Sequence, residues 1–328
     1  MDSSATPAPL PEVNIIGAGF AGLACAVRLI DAEYDGKITI WEASGHAGGR
    51  AASRFDPWLN RQVEAPYVIL HAAENFHRFL YIIEAFGVLE PLDIRLTELG
   101  NPFSTLPKLM LNTAPSEAKP WLLISTIIKG FAGIRPYIAA DSLDKDVLRP
   151  ALDYLARYRV DFQYNRAWRP ADGLPGFTVA TMPAWWWNPS LRTSPIVVAH
   201  YQYDDPDRAV RVRGGVWIFP RDGMVSLRVN AAVKEARFQD VSIGQGLWER
   251  AYAGLEPLPP FTVIKEPKAT LWVGRRLPRR LVSGVPDDPD LLLAGDWTMG
   301  GVSSLENAVA SGFAAAEKIL AKTKGENT

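Results

Sequence analysis

Three glycines, an acid and an arginine near the start of the chain are spaced to hold a dinucleotide. Gly17-x-Gly19-x-x-Gly22 follows the apolar run Val13 to Ile16. A tight glycine turn lets backbone approach a pyrophosphate, and the helix after it offers unpaired N–H groups and a positive dipole end. Glu42, about 20 residues past the last glycine, suits the ribose hydroxyls of an adenosine half. Gly48-Gly49-Arg50 adds a second backbone cradle beside a fixed cation, whose planar fork can bond two phosphate oxygens at once. A plain NAD-binding unit would continue as ordinary helix there. Near the far end, Leu291–Ala294 reads as a buried strand running into Gly295-Asp296-Trp297, Gly300-Gly301 and a small-residue helix from about Ser304 to Lys322. Ser303 or Ser304 can cap that helix, with Glu306 in its first turn. This is a second dinucleotide-handling element, so the expected site has two halves far apart in sequence.

Periodicity supplies the elements that must position these groups. A helix starting near Phe20 carries Ala21, Leu23, Ala24, Ala26, Val27 and Ile30. Its small residues let it lie close on a sheet, the packing that the third glycine also serves. Asp35-Gly36 turns the chain into a strand over Lys37–Glu42. Apolar residues at helical spacing predict an amphipathic helix over Ala73–Phe86, ended by Gly87. Leu152–Arg157 reads as helix, and Val160–Tyr164 and Gly176–Thr181 as strands. Ile196–Tyr203, Gly215–Phe219 and Met224–Val233 are β runs separated by Gly- and Asp-containing turns, which predicts an antiparallel sheet. Val241–Ala253 is a further helix and Thr262–Trp272 a returning strand. The expected fold is α/β, with a discontinuous Rossmann-like domain (1–62, 151–186 and 287–328) and an inserted α+β substrate domain (63–150 and 187–286).

The 328 residues, 48% hydrophobic, suffice for one large or two modest domains. A net charge of −1 gives no bulk attraction to nucleic acid. Cys25, the single cysteine, excludes a disulfide framework or a cysteine-based zinc site, fits a reducing compartment and reads as helix packing. The first twelve residues lack an apolar h-region and read as a loose tail. His46, His71, His77 and His200 show no metal-ligand spacing, so no metal is expected. Trp121–Phe131 is too short to span a bilayer and reads as a buried helix or one that dips into a membrane surface. Trp185-Trp186-Trp187 suits an apolar substrate tunnel or a membrane-facing rim, and equally core packing. Arg275-Arg276 with Arg279-Arg280 reads as a solvated charged loop in preference to a site for lipid headgroups or a diphosphate.

Taken together, Gly17-x-Gly19-x-x-Gly22 with Glu42, Gly48-Gly49-Arg50, the terminal Leu-Leu-Leu-Ala-Gly-Asp296-Trp-Thr and Glu306-x-Ala-Val-x-Ser-Gly312 resemble the flavin amine oxidase and phytoene desaturase superfamily. Within it the chain looks most like the squalene-associated FAD-dependent desaturases, whose characterised activity is hydroxysqualene dehydroxylase. Ser194-Pro195-Ile196-Val197 and the Val-Ala-Thr-Met-Pro183 strand are similar to that group as well. The strong similarity covers residues 13–50 and 291–320.

The resemblance implies a GR2-type Rossmann-like domain holding FAD. Gly17, Gly19, Phe20, Ala21 and Gly22 would form the first cradle, Glu42 and Ala43 the adenosine side, and Gly48, Gly49 and Arg50 the pyrophosphate side. Gly295 and Asp296 would meet the ribityl or pyrophosphate region. Ser304, Leu305 and Glu306 would be cofactor-binding as well, and the backbone around Leu305–Asn307 would face the isoalloxazine N1/O2 edge, where a helix dipole stabilises anionic reduced flavin. The implied activity is reductive removal of a hydroxyl from a C30 isoprenoid alcohol, giving squalene. It implies a cytoplasmic protein with peripheral contact at the cytoplasmic membrane and isoprenoid synthase partners. Rival readings are carotenoid desaturation, amine oxidation with Lys265 or Lys268 positioning a flavin-bound water, and a non-catalytic flavoprotein accessory to a synthase. The family carries an Asp-x-Gly-x-His element after Gly-Gly-Arg; here the segment is Arg61-Gln62-Val63-Glu64-Ala65-Pro66-Tyr67-Val68. The chain is also short for the family, and the missing length falls around residues 100–150. No side chain stands out as a general acid.

Overall fold

A computed structural model of the chain describes residues 9–95, 110–124, 136–169, 172–253, 257–274, 287–299 and 303–325, with positions 101, 105, 108, 281 and 285 between them. In order, the strands are β1 (Val13–Ile16), β2 (Ile38–Trp41), β3 (Arg54–Asp56), β4 (Arg61–Val63), β5 (Ile69–Leu70), β6 (Leu89–Pro91), β7 (Pro136–Ala139), β8 (Asp161–Gln163), β9 (Phe177–Ala180), β10 (Thr193–Tyr201), β11 (Arg211–Arg213), β12 (Val216–Arg221), β13 (Met224–Asn230), β14 (Phe261–Leu271) and β15 (Leu291–Leu293). The helices are α1 (Phe20–Asp31), α2 (Glu74–Ile82), α3 (Arg149–Arg157), α4 (Ala184–Trp187), α5 (Asp240–Tyr252) and α6 (Leu305–Thr323).

Five short strands form a parallel sheet in the order β15-β9-β1-β2-β8, a Rossmann-like layer assembled from the beginning, middle and end of the chain. Its central strand, β1, is buried throughout, as a strand covered on both faces must be. α1 is buried along almost its whole length and packs chiefly on α6. The small residues Ala21 and Ala24 on α1 meet Gly312 on α6, so the two axes lie close and the two halves of the expected site are brought side by side. α2 and the stretch from Leu143 to Leu155 share this core.

The helix expected over Ala73–Phe86 stops sooner, at Ile82. The chain turns at Glu84, in the left-handed region at φ 60°, and Ala85 N–H returns to Leu80 O at 2.9 Å. That is a Schellman-type end made without glycine. Arg157 holds the Glu84 carboxylate through two 3.1 Å bonds. Among the described part of Trp121–Phe131, Leu122 packs with Leu111, Ala118 and Val273, while Trp121 and Ile124 are exposed. The remainder of that segment, the arginine cluster at 275–280 and the Gly300-Gly301 pair lie outside the described residues.

The second sheet is antiparallel, in the order β11-β12-β13-β10-β14. Side chains alternate along each strand, so one face carries Val197, Ala199, Tyr201, Leu227 and Val229, packed on Ile243, Leu247 and Trp248 of α5. The opposite face carries Ile196, Val198, Arg228, Ile264 and Glu266 and looks toward the parallel sheet. Between Ser194 and Ile196 the pairing with β14 slips from Thr270 to Glu266, a bulge that contains Pro267. Proline has no N–H to give a ladder, and bulges of this kind re-aim the groups beside them.

His200 lies on this second face at the far end of β10, fully buried beneath the β3–β4 hairpin. One ring nitrogen meets Ser226 Oγ at 2.8 Å, and the other has no partner among the described residues. Burial, reinforced by Arg54, lowers its pKa from 6.5 to about 3. Below 6.5 the unfolded chain takes up a proton that the folded chain refuses, so stability falls as pH drops from 6.5 toward 3. His200→Leu is expected to flatten this dependence, by up to about 1.4 kcal/mol per pH unit, in denaturant titrations at pH 7 and pH 5. Parallel losses in the two proteins would show that the ring is not what acid attacks.

Candidate functional site

One cavity of about 1680 Å³ runs between the two sheets. Pockets for a single drug-sized ligand span roughly 300–1,000 Å³, so this one has room for two ligands end to end. Gly17, Gly19, Phe20, Ala21, Glu42, Ala43, Gly48, Gly49, Arg50, Gly295, Asp296, Ser304, Leu305 and Glu306 all border it. Gly22, from the same motif, does not. It sits beneath the turn, where a Cβ would overlap Gly17 O well inside 3.0 Å.

The two glycine elements are a single surface. Gly48 N–H donates to Ala18 O at 2.9 Å, and a Cβ on Gly49 would sit 3.4 Å from Gly19 Cα. A Cβ on Gly19 itself would meet nothing within 4 Å, so bare backbone faces open cavity at the start of α1. No side chain caps that helix and no acid occupies its first turn. Glu42 closes the other side: its carboxylate accepts from Ala18 N–H and from Ser44 N–H, both at 2.8 Å. Each oxygen keeps a lone pair, which leaves the acid able to take ribose hydroxyls. Backbone donors, a positive helix end and an acid in this order fit the pyrophosphate and adenosine of a dinucleotide.

Arg50 couples the halves. It pairs with Asp296 at 2.8 Å, donates to Ala269 O in the β14 bulge at 2.6 Å, and lies 5.2 Å from the centre of the Trp185 ring. Burial would lower its pKa, and the charge and hydrogen bond of Asp296 more than reverse that. Its fork is therefore largely spent on protein. At the end of the chain Ser304 caps α6, accepting from Asn307 N–H at 3.1 Å, whereas Ser303 accepts from Leu271 N–H. The Glu306 carboxylate turns to α2, accepting from Asn75 N–H, Asn75 Nδ2 and Phe76 N–H at 2.7 to 3.1 Å. It caps a neighbouring helix, so only its backbone is left for the cavity.

The other sequence candidates separate. Trp186 borders the cavity, Trp185 lies against Arg50, and Trp187 packs with Ala184, Leu191 and Trp297. Lys265 is on the α5 face of β14, bound to Phe238 O and Asp240, and neither it nor Lys268 borders the cavity. That removes the lysine reading, because alternation along β14 presents Ile264 and Glu266 instead. Burial raises the Cys25 thiol to about 12, as an inert core group. His46 borders the cavity, and the rings of His71 and His77 meet Tyr137 in tilted and edge-on arrangements.

Three groups were not anticipated. Glu64 accepts from Ser53 Oγ and Leu143 N–H, and burial raises its pKa. Tyr67 donates to Arg50 O at 2.8 Å; burial pushes it up to about 12 against the pull of Arg50 and Arg228. Arg228 is nine-tenths buried, donating to Asn230 Oδ1 at 2.8 Å and to Pro66 O, and burial lowers its pKa to about 10. A charge inside the strand Met-Val-Ser-Leu-Arg-Val-Asn was the available signal for Arg228.

A profile for an NAD(P)-binding Rossmann-like domain matches residues 15–84. Hydroxysqualene dehydroxylases from Zymomonas mobilis and Rhodopseudomonas palustris are each 24% identical, over 94% of this chain and 98% of theirs. The chain is similar to hydroxysqualene dehydroxylases along nearly its whole length. The first of these alignments runs to 409 positions against 328 residues, so this chain lacks stretches that the other enzyme carries. Among solved structures, cyclohexylamine oxidase from Brevibacterium oxydans superposes with a TM-score of 0.72 at 12% identity, over 96% of this chain and all of that one. At that identity the likeness shows the fold.

Proposed function

We propose that the chain is an FAD-dependent oxidoreductase that removes the hydroxyl of hydroxysqualene, giving squalene. The observation that carries this reading is one shared cavity between the sheets, with backbone and an acid suited to a dinucleotide on one wall and a mainly apolar sheet face on the other. When bound, the flavin supplies a hydride to the carbon that loses oxygen. Gly19 and Gly49 backbone and the α1 N-terminus would hold the pyrophosphate, Glu42 the ribose, and the α6 N-terminus the isoalloxazine edge. Ile196, Val198 and Ile264 would orient the hydrocarbon and exclude water. The Rossmann-like domain would comprise residues 1–62, 151–186 and 287–328, and the substrate domain residues 63–150 and 187–286.

Amine oxidation fits less well. Neither Lys265 nor Lys268, the lysines that this reading called on, borders the cavity. No helix among the described residues is long and apolar enough to cross a membrane. Peripheral contact with the cytoplasmic membrane, where such hydrocarbons dissolve, and hand-over from an isoprenoid synthase belong to the same proposal. Anaerobic incubation of chemically reduced holoprotein with hydroxysqualene is expected to give squalene by mass and to reoxidise the flavin. Absence of squalene defeats the reading. Flavin reduction by a polyene would favour a desaturase, and retention of FAD without any turnover would favour the accessory protein.

A further inference from the structure

The sheet wall of the cavity holds two charged side chains that a hydrocarbon does not need, Glu266 and the more deeply buried Arg228. Arg228 stands on β13 among Ile196, Val198 and Ile264, on the face turned to the cavity. Removing a guanidinium from water without a counter-charge is costly, and buried cations are ordinarily paired. Asn230 Oδ1 and Pro66 O occupy two of its five N–H donors and fix the plane of the group. No carboxylate pairs with it among the described residues. The remaining donors are available to a ligand oxygen.

Tyr67 is a further polar group on the cavity wall; the charges of Arg50 and Arg228 favour ionisation of its phenol and those of Glu64 and Glu266 oppose it. A ligand that is hydrocarbon apart from a single oxygen would leave that oxygen unsatisfied anywhere else along Ile196, Val198 and Ile264.

We propose that Arg228 and Tyr67 form the oxygen site for the substrate alcohol. Arg228 binds the hydroxyl and stabilises it as it departs, and Tyr67 supplies the proton that makes it water. This rests on the dehydroxylase reading. In the step, the C–O bond breaks with both electrons going to oxygen, and carbon accepts a hydride from reduced flavin, which is oxidised by two electrons. The oxygen takes the Tyr67 proton and leaves as water; the phenolate, favoured by the charges of Arg50 and Arg228, regains a proton from solvent. The Tyr67 hydroxyl, now donating to Arg50 O, reaches the ligand by rotation about its C–O bond.

The test begins with binding of hydroxysqualene and of squalene to oxidised holoprotein, followed by the change in flavin absorption. Arg228→Met is expected to lower the preference for alcohol over hydrocarbon by about tenfold or more, the worth of a hydrogen bond to a charged group, with squalene affinity and flavin content unchanged. Arg228→Lys should retain part of the preference, and serves as the comparison if the methionine variant does not fold. An unchanged ratio in both variants overturns the oxygen site. Tyr67→Phe should keep the binding ratio within about threefold and slow anaerobic flavin reoxidation by hydroxysqualene by about a hundredfold, the low end for general acid catalysis. A parental rate overturns the proton assignment. The binding measurements need no turnover, so they separate failure of this site from failure of the dehydroxylase reading, in which the wild-type protein makes no squalene.

Discussion

Gly22→Ala is expected to give a protein of lowered melting temperature that no longer retains flavin, and Gly19→Ala one that melts normally without flavin yet binds it weakly. The contrast follows from where each new methyl group would go. At Gly22 it overlaps Gly17 O and lies 3.1 Å from Ile15 Cγ2. Gly17 cannot retreat, because its N–H is bonded to Trp41 O at 2.7 Å and Thr181 Oγ1 donates to its carbonyl at 3.2 Å. α1 must move instead, and it is buried against β1 and α6. Overpacking costs about 1–3 kcal/mol, and a clash with backbone belongs at the upper end. At about 2–4 °C per kcal/mol, the melting temperature should fall by roughly 6–12 °C. At Gly19 the methyl meets nothing within 4 Å, and the residue already has an extended backbone at φ −77° that alanine adopts freely. Its only effect is to project into the space assigned to the pyrophosphate. Thermal melts of flavin-free protein and a flavin titration distinguish the two. Equal melting losses, or undiminished flavin binding by Gly19→Ala, would mean that the cavity at the head of α1 is not the phosphate site.

The parts of the fold that were legible in the sequence are those governed by local rules. β1, the glycine turn and α1 were readable because apolar run, turn and small-residue stripe are consecutive. α5 and the antiparallel strands were readable because period and turn chemistry agree. The end of α2 was not, since Glu84 adopts a left-handed conformation that glycine would ordinarily fill, and Arg157, distant in sequence, helps to hold it. The oxygen-binding wall was hidden for a different reason. Arg228 and Glu266 come from two strands that flank β10, and only sheet register decides that they share a face, while Tyr67 reaches the same cavity from the segment between β4 and β5. The same register turns Lys265 away, which no spacing could have shown. A one-residue slip would exchange the faces, so the β14 bulge at Pro267 bears directly on which side chains the cavity receives.

That bulge also presents Ala269 O to Arg50, and from this comes the second large effect. Arg50→Met should destabilise the protein more than Asp296→Asn, and the double variant should be more stable than the sum of the two losses predicts. Removing the guanidinium leaves Asp296, whose side chain is only 9% exposed, as an uncompensated carboxylate, and strands the Ala269 carbonyl. Breaking one side of a buried pair costs about 3–5 kcal/mol; Arg50 is 31% exposed, so solvent screening reduces this to roughly 2–4 kcal/mol. Asparagine at 296 removes the charge but still accepts a hydrogen bond from Arg50, so that single change costs less. In the double variant the stranded charge is gone, and a coupling of about 1–3 kcal/mol should appear in denaturant titrations. Strict additivity would show that the pair is incidental. Because Arg50 belongs to the Gly-Gly-Arg turn and Asp296 to the strand-end that precedes α6, the coupling measures how firmly the two ends of the chain are joined. Arg50→Met should therefore also release flavin faster, even though its fork is committed to Asp296 and Ala269.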